Sequence, residues 1–229
     1  MIRVILWDID GTLLDFAAAE RVAIRECFAT FGLGECTDEM LARYSVINRQ
    51  HWEKLERKEL TKHQVLIGRF EVFFAGEGIV ADCAAFNAEY QIRLGDTVCF
   101  HDDGYKLVQQ LKGRVRQYAV TNGTKVAQQR KLRNSGLDVL LDGVFISEDI
   151  GAEKPDIAFF HPVWKTIGSY APDEVLIVGD SLTSDMQGGN NAGIRCCWYN
   201  PKGVPAPEHL KIDYNIRDLR EILTILEQS

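Results

Sequence analysis

The first strand of this chain constrains its fold more than any other segment, because of how it ends. The apolar run Ile2-Arg-Val-Ile-Leu-Trp7 has strand-forming side chains and stops at Asp8, followed by Asp10, Gly11 and Thr12. A strand apolar on both faces belongs inside a parallel sheet, and such sheets place their ligands beyond the carboxyl ends of their strands. Asp8 and Asp10 are two residues apart, so while the chain stays extended their side chains point the same way. Two carboxylates aimed into one crevice repel each other unless a divalent cation or a shared proton joins them.

The rest of the chain sets the scale. Its 229 residues are 46% apolar, enough for one sizeable core or a core with a satellite domain. The net charge of −7 (26 basic against 33 acidic residues) and the lack of a basic run argue against nucleic-acid polymers and anionic membranes as partners. No apolar stretch approaches the roughly 20 residues of a membrane span, and the N-terminus does not resemble a signal peptide. The six cysteines form no Cys-x-x-Cys pair, which favours buried thiols in a reducing cytoplasm over a disulfide framework or a zinc site.

Residues 16 to about 93 read as four helices. The first spans Ala17–Phe31 and is stopped by Gly32 and Gly34. Thr37 caps a second, through Leu41, Tyr44, Ile47 and Trp52. Thr61 opens a third, through Val65, Phe70 and Phe73, and Asp82–Leu94 forms the fourth. Short connections suggest an antiparallel bundle. From Gly104 helices and strands alternate, with strands at Val115–Val120, Val144–Ile146, Val175–Val178 and Cys196–Tyr199, as in a parallel sheet covered on both faces. The expected fold is therefore α/β: a Rossmann-like parallel sheet with a helical bundle inserted after its first strand. The core comprises residues 1–15 and 94–229, the inserted bundle residues 16–93.

The later strands also run into polar residues. Val120 leads to Thr121-Asn122-Gly123, a turn able to hold a phosphate with backbone N–H groups and a helix N-terminus. Val178 leads to Gly179-Asp180-Ser181, with Asp185 five residues beyond Asp180, and Lys154-Pro155 opens a helix between these strands. A nucleophile, an acid, a phosphate cradle, a cation and metal ligands at one sheet edge suit phosphoryl transfer.

The four segments Asp8-Ile-Asp-Gly-Thr12, Thr121-Asn-Gly123, Lys154-Pro155 and Gly179-Asp-Ser-Leu-Thr-Ser-Asp185 occur in the order found in haloacid dehalogenase superfamily phosphatases, which the chain resembles over nearly its whole length. The resemblance implies that Asp8 attacks phosphorus and that Asp10 serves as general acid and then base. Thr121 and Asn122 would hold phosphoryl oxygens and Lys154 would neutralise charge. Mg²⁺ would be bound by Asp8, the Asp10 main-chain carbonyl and Asp180, with Asp185 orienting a metal-bound water or Lys154. An acid at position 10 favours a phosphatase over a dehalogenase. A narrower resemblance, through Asn48-Arg-Gln-His-Trp52, Gly68-Arg-Phe70 and Ser147-Glu-Asp-Ile-Gly151, is to noncanonical pyrimidine 5′-nucleotidases. It implies a nucleoside monophosphate such as UMP or dUMP as substrate. The chain is expected to be a monomer or a homodimer, and its sequence does not choose between them. At His101-Asp-Asp-Gly104 the chain departs from the Pro-Gly turn common in such relatives.

Other readings stay open. The substrate could be phosphoglycolate or a sugar phosphate, the enzyme a phosphomutase, or the protein a non-catalytic binding module. Asp185 could simply favour a helix dipole. Arg69 and Asn48 could read the leaving group, or serve as a surface salt bridge and an exposed polar face. Phe70, Phe73 and Phe74 fit a bundle core better than a base-stacking platform.

Overall fold

The computed structural model describes residues 1–228. Strand β1 (Val4–Trp7) is followed by helices α1 (Phe16–Thr30), α2 (Asp38–Glu56), α3 (Lys62–Glu77) and α4 (Cys83–Asp96). Then come α5 (Gly104–Leu111), β2 (Arg116–Thr121), α6 (Lys125–Ser135), β3 (Gly143–Ile146), α7 (Ser147–Ile150) and α8 (Ile157–Ile167). The chain ends with β4 (Val175–Gly179), α9 (Gln187–Ala192), β5 (Arg195–Tyr199), β6 (Tyr214–Ile216) and α10 (Glu221–Gln228).

The strands form one parallel sheet of order β3-β2-β1-β4-β5-β6. β1 lies between β2 and β4, and its last residue, Trp7, is in register with Ala119 on one side and Val178 on the other. Strand order reverses at this point, so the segments after β1, β2 and β4 open into one crevice. Alternation along the strands divides the core. Ile5, Trp7, Ala119, Leu176 and Val178 pack under α5, α6 and α10, while Val4, Leu6, Tyr118, Val120 and Ile177 pack under α8. No helix among the described residues is long and apolar enough to cross a membrane.

A sixth strand, Tyr214–Ile216, extends the sheet beyond the five read from sequence. It is only three residues long and pairs on one side only, too short for an alternation to register. The helix expected near Asp185–Ala192 is also divided. Met186 N–H donates to Ser181 O, a bond over five residues, so a wide turn at Leu182–Met186 precedes α9.

Helices α1 to α4 share a core, joined by Ala127 of α6, in which Phe28, Tyr44, Phe70, Phe73, Phe74, Phe86 and Tyr90 are buried in ring contact. Their starts are capped as their sequences require. Thr37 caps α2, Asp82 caps α4, and Thr61 with Gln64 forms a reciprocal capping box on α3. The two chain passages joining this segment to the sheet run side by side. Asp15 N–H donates to Cys99 O at 2.8 Å, and His101 N–H to Leu13 O at 3.0 Å. On the returning passage Asp102 has φ +45°, a conformation Asp tolerates, and its carboxylate accepts from Tyr199 Oη (3.0 Å) and Leu219 N–H (3.2 Å).

Candidate active site

Asp8 continues directly from β1, its N–H donating to Val178 O. The residue is 7% exposed. Lys154 Nζ donates to Asp8 Oδ1 (2.9 Å), Asp185 Oδ1 (2.6 Å) and Val120 O (2.8 Å), so this fully buried ammonium has three acceptors. Burial works against the charged lysine, but Asp185 and Asp8 outweigh it and hold Lys154 above the ordinary lysine range. Asn122 fixes the lysine backbone: its Nδ2 donates to Lys154 O, and its Oδ1 accepts from Lys154 N–H, both at 2.8 Å.

Thr12, the last residue of the first motif, connects two carboxylates. Its hydroxyl lies 3.1 Å from Asp8 Oδ2 and 3.4 Å from Asp180 Oδ1, and accepts from Asp180 N–H at 3.0 Å. Asp180 is held from behind by Trp198 Nε1, which donates to its carbonyl at 2.9 Å. Asp185 Oδ2 accepts from Ser181 N–H. Oxygens of Asp8, Asp180 and Asp185 lie within 4.8 Å of one another, a donor set suited to a hard divalent cation. Gly11 makes room for it: a Cβ there would stand 2.7 Å from Asp180 Oδ2, and its φ of +93° suits glycine. Crowding raises both outer acids. Burial and then the charge of Asp185 push Asp8 well above the ordinary carboxylate range, against the pull of Lys154. The same two causes push Asp180 up to about 7, although this residue, unlike Asp8 and Asp185, is also open to solvent.

Thr121 ends β2, buried, with its hydroxyl accepting from Gly123 N–H at 3.0 Å. Asp10 turns elsewhere. Its Oδ1 pairs with Lys131 Nζ and its Oδ2 accepts from Gln128 Nε2 at 2.6 Å, both residues on α6. The structure thus brings Asp8, Lys154, Asp180, Asp185, Thr12 and Asn122 into one bonded cluster, with Thr121 at the adjoining turn and Asp10 beside it.

Asn48 and Arg69 lie apart from that cluster, inside the helical segment, 3% and 1% exposed. Arg69 donates to Asn48 Oδ1 (2.8 Å) and Asn87 Oδ1 (3.0 Å), with its guanidinium against the rings of Phe70 and Tyr90. Asn48 Nδ2 in turn donates to Glu20 at 2.7 Å. Neither is an exposed polar group, and of the Arg69 guanidinium only Nε, itself buried, has no hydrogen-bond partner. From Asn87 the chain of bonds continues through Gln91 to Thr124, the residue that caps α6.

Sequence reading missed the side chains by which the α2–α3 connection reaches the sheet. Thr183 Oγ1 donates to Glu56 (2.5 Å), Lys58 pairs with Asp156 (2.6 Å), and Lys62 Nζ donates to Asn122 O (2.8 Å) and Ser147 Oγ (2.7 Å). Burial pushes the Glu56 carboxyl up to about 7. These residues flank a cleft of about 990 Å³ between residues 55–64 and 151–158. Charged side chains in a connection read as solvated from sequence alone.

Residues 2–193 match the model of the haloacid dehalogenase-like hydrolase family. The chain is 36% identical to the HAD-hydrolase YfnB of Bacillus subtilis (strain 168), over 98% of this chain and 95% of that protein. A crystal structure of YfnB bound to magnesium, described as revealing interdomain movement, superposes with a TM-score of 0.93 over 98% of each chain. The pyrimidine 5′-nucleotidase PynA of Streptococcus pneumoniae (strain ATCC BAA-255 / R6) is 32% identical, over 99% of this chain and 96% of that protein. The pyrimidine 5′-nucleotidase YjjG of Escherichia coli (strain K12) is 27% identical, over 97% and 96%.

Proposed function

The chain belongs to the haloacid dehalogenase-like hydrolases, and from that premise we propose that it hydrolyses a nucleoside 5′-monophosphate of the pyrimidine type through a phosphorylated Asp8. The observation that carries the chemistry is the Lys154 ammonium, bonded at once to Asp8 and Asp185 beneath the Thr121 turn. The substrate class is supported by two relatives named as pyrimidine 5′-nucleotidases that align with almost the whole chain.

In the first step an Asp8 oxygen forms a bond to phosphorus while the bond to the nucleoside oxygen breaks, and protonated Asp10 gives its proton to that leaving oxygen. Water then attacks the phosphorus of the aspartyl phosphate. Its proton passes to Asp10, the bond to Asp8 breaks, and inorganic phosphate departs with the Asp8 carboxylate restored. Lys154 and the Thr121–Asn122 turn hold the phosphoryl oxygens in line. Magnesium, held by Asp8, the Asp10 carbonyl and Asp180 with Asp185 behind them, would supply positive charge that offsets these carboxylates and the phosphate.

In this reading residues 16–93 are a cap over a core made of residues 1–15 and 94–229, and Asn48 and Arg69 shape the side of the cap that meets the nucleoside. The interdomain movement described for YfnB supports a cap that opens for exchange of substrate and product. The six free cysteines accord with a cytoplasmic setting.

The test is phosphate release from a panel of nucleoside monophosphates, sugar phosphates and phosphoglycolate, with Mg²⁺ and with EDTA. UMP and dUMP should lead, and EDTA should abolish turnover. If another phosphate leads, the nucleotide assignment fails and the aspartyl-phosphate chemistry stands. No turnover of any member would overturn the phosphatase reading.

Metal binding has a second readout. Asp180, raised to about 7, keeps in the folded chain a proton that the unfolded chain releases near 4. That stability is present at low pH and is lost as pH rises through about 7. The Tm of EDTA-treated protein should therefore fall between about pH 5 and pH 8, and Mg²⁺ should raise Tm more at the higher pH. A Mg²⁺ effect equal at both pH values would count against these carboxylates as the ligands.

A further inference from the structure

Asp10 is attached to β1 but oriented by α6. Gln128 and Lys131, three residues apart, share one face of that helix, and each is 1% exposed. Between them they occupy both oxygens of the Asp10 carboxylate. A lysine that deep is costly unless paired, and Asp10 is the carboxylate that it meets, with the Phe16 ring 5.3 Å from its ammonium.

Two neighbours make the arrangement possible. A Cβ at Gly123 would collide with the Gln128 amide, so glycine in the phosphate-holding turn is also what lets Gln128 reach Asp10. Thr124 fixes the start of α6 by accepting from Ala127 N–H at 3.3 Å. The turn that faces the phosphate and the helix that faces Asp10 are thus one continuous piece of chain.

We propose that Gln128 and Lys131 are the positioning residues for Asp10, aiming its carboxylate at the leaving oxygen in the first step and at water in the second. This rests on the reading of Asp10 as the acid and base. Gln128 Nε2 donates to one Asp10 oxygen, while its buried Oε1 has no partner, so the amide holds Asp10 through that single bond.

The test uses the leaving group. 2,4-Dinitrophenolate departs without a proton, whereas a nucleoside oxygen needs one, and the rate of the first turnover isolates that step. UMP, or whichever alkyl phosphate the panel shows to be hydrolysed, is compared with 2,4-dinitrophenyl phosphate for Lys131→Met, Lys131→Arg, Gln128→Leu and Asp10→Asn in the Mg²⁺-loaded protein. Lys131→Met and Gln128→Leu should slow the first turnover of the alkyl phosphate about a hundredfold. The dinitrophenolate burst should stay near the parent rate, and Lys131→Arg should recover most of the loss. Damage to the fold would slow both substrates alike, and Gln128→Leu carries the test if Lys131→Met does not fold. If Asp10→Asn separates the two substrates while Gln128→Leu and any folded Lys131→Met do not, the positioning assignment is overturned and the acid–base reading stands. If Asp10→Asn fails to separate them, that reading falls and the inference with it.

Discussion

Asp8→Asn is expected to reduce phosphate release by at least about 10⁴-fold, because an amide cannot form the bond to phosphorus on which both steps depend. The substitution keeps the shape of the side chain, so little else should change. Lys154 retains Asp185 and Val120 O as acceptors. Burial and Asp185 already press against ionisation of Asp8, so removing its charge relieves crowding when no metal is bound. The variant should therefore melt no lower than the parent in EDTA while turnover disappears. Steady-state phosphate release and thermal melting, run side by side, check both halves. Substantial residual turnover would remove Asp8 as the nucleophile.

Lys154→Met should damage the fold as well as the chemistry. The ammonium has no exposed surface and is the cation bonded to Asp8 and Asp185, so its loss leaves two buried acids facing each other. Breaking a buried ion pair from one side costs about 3–5 kcal/mol, and the methionine supplies none of the three hydrogen bonds. A lower Tm is expected, together with loss of turnover. Adding Asp185→Asn should restore part of the stability and none of the activity, which marks the coupling between the two positions. A Lys154→Met protein that melts like the parent would show that the cluster contributes nothing to folding.

The convergence of the candidate site at one sheet edge was legible in the sequence because it is written in strand ends. Apolar runs stopping at Asp8, Thr121 and Gly179-Asp180 need only parallel alignment to converge, and the register of Trp7 with Ala119 and Val178 supplies it. The helix-starting residues Thr37 and Thr61 were legible for a similar reason, since capping is a local property. Lys131 and Gln128 were not. They sit in a helix so polar that it reads as solvated throughout, and the carboxylate that buries them lies more than a hundred residues away. Arg69 shows the same limit: its neighbours Asn48 and Asn87 belong to two other helices, so no spacing within α3 could announce them.

The paired passages at Leu13–Asp15 and Cys99–His101 have one further consequence. The chain departs from the sheet and returns to it through adjacent residues hydrogen-bonded to each other, so the neck is closed by contacts that belong to neither the sheet nor the helical bundle. Whatever hangs from that neck adds little loop-closure entropy to the sheet, since this cost grows only with the logarithm of the inserted length. The sheet can keep its strand order while the segment beyond the neck is lengthened or shortened. The two parts of the chain can thereby vary separately wherever bonds such as Thr124 to Gln91 and Lys62 to Asn122 do not join them.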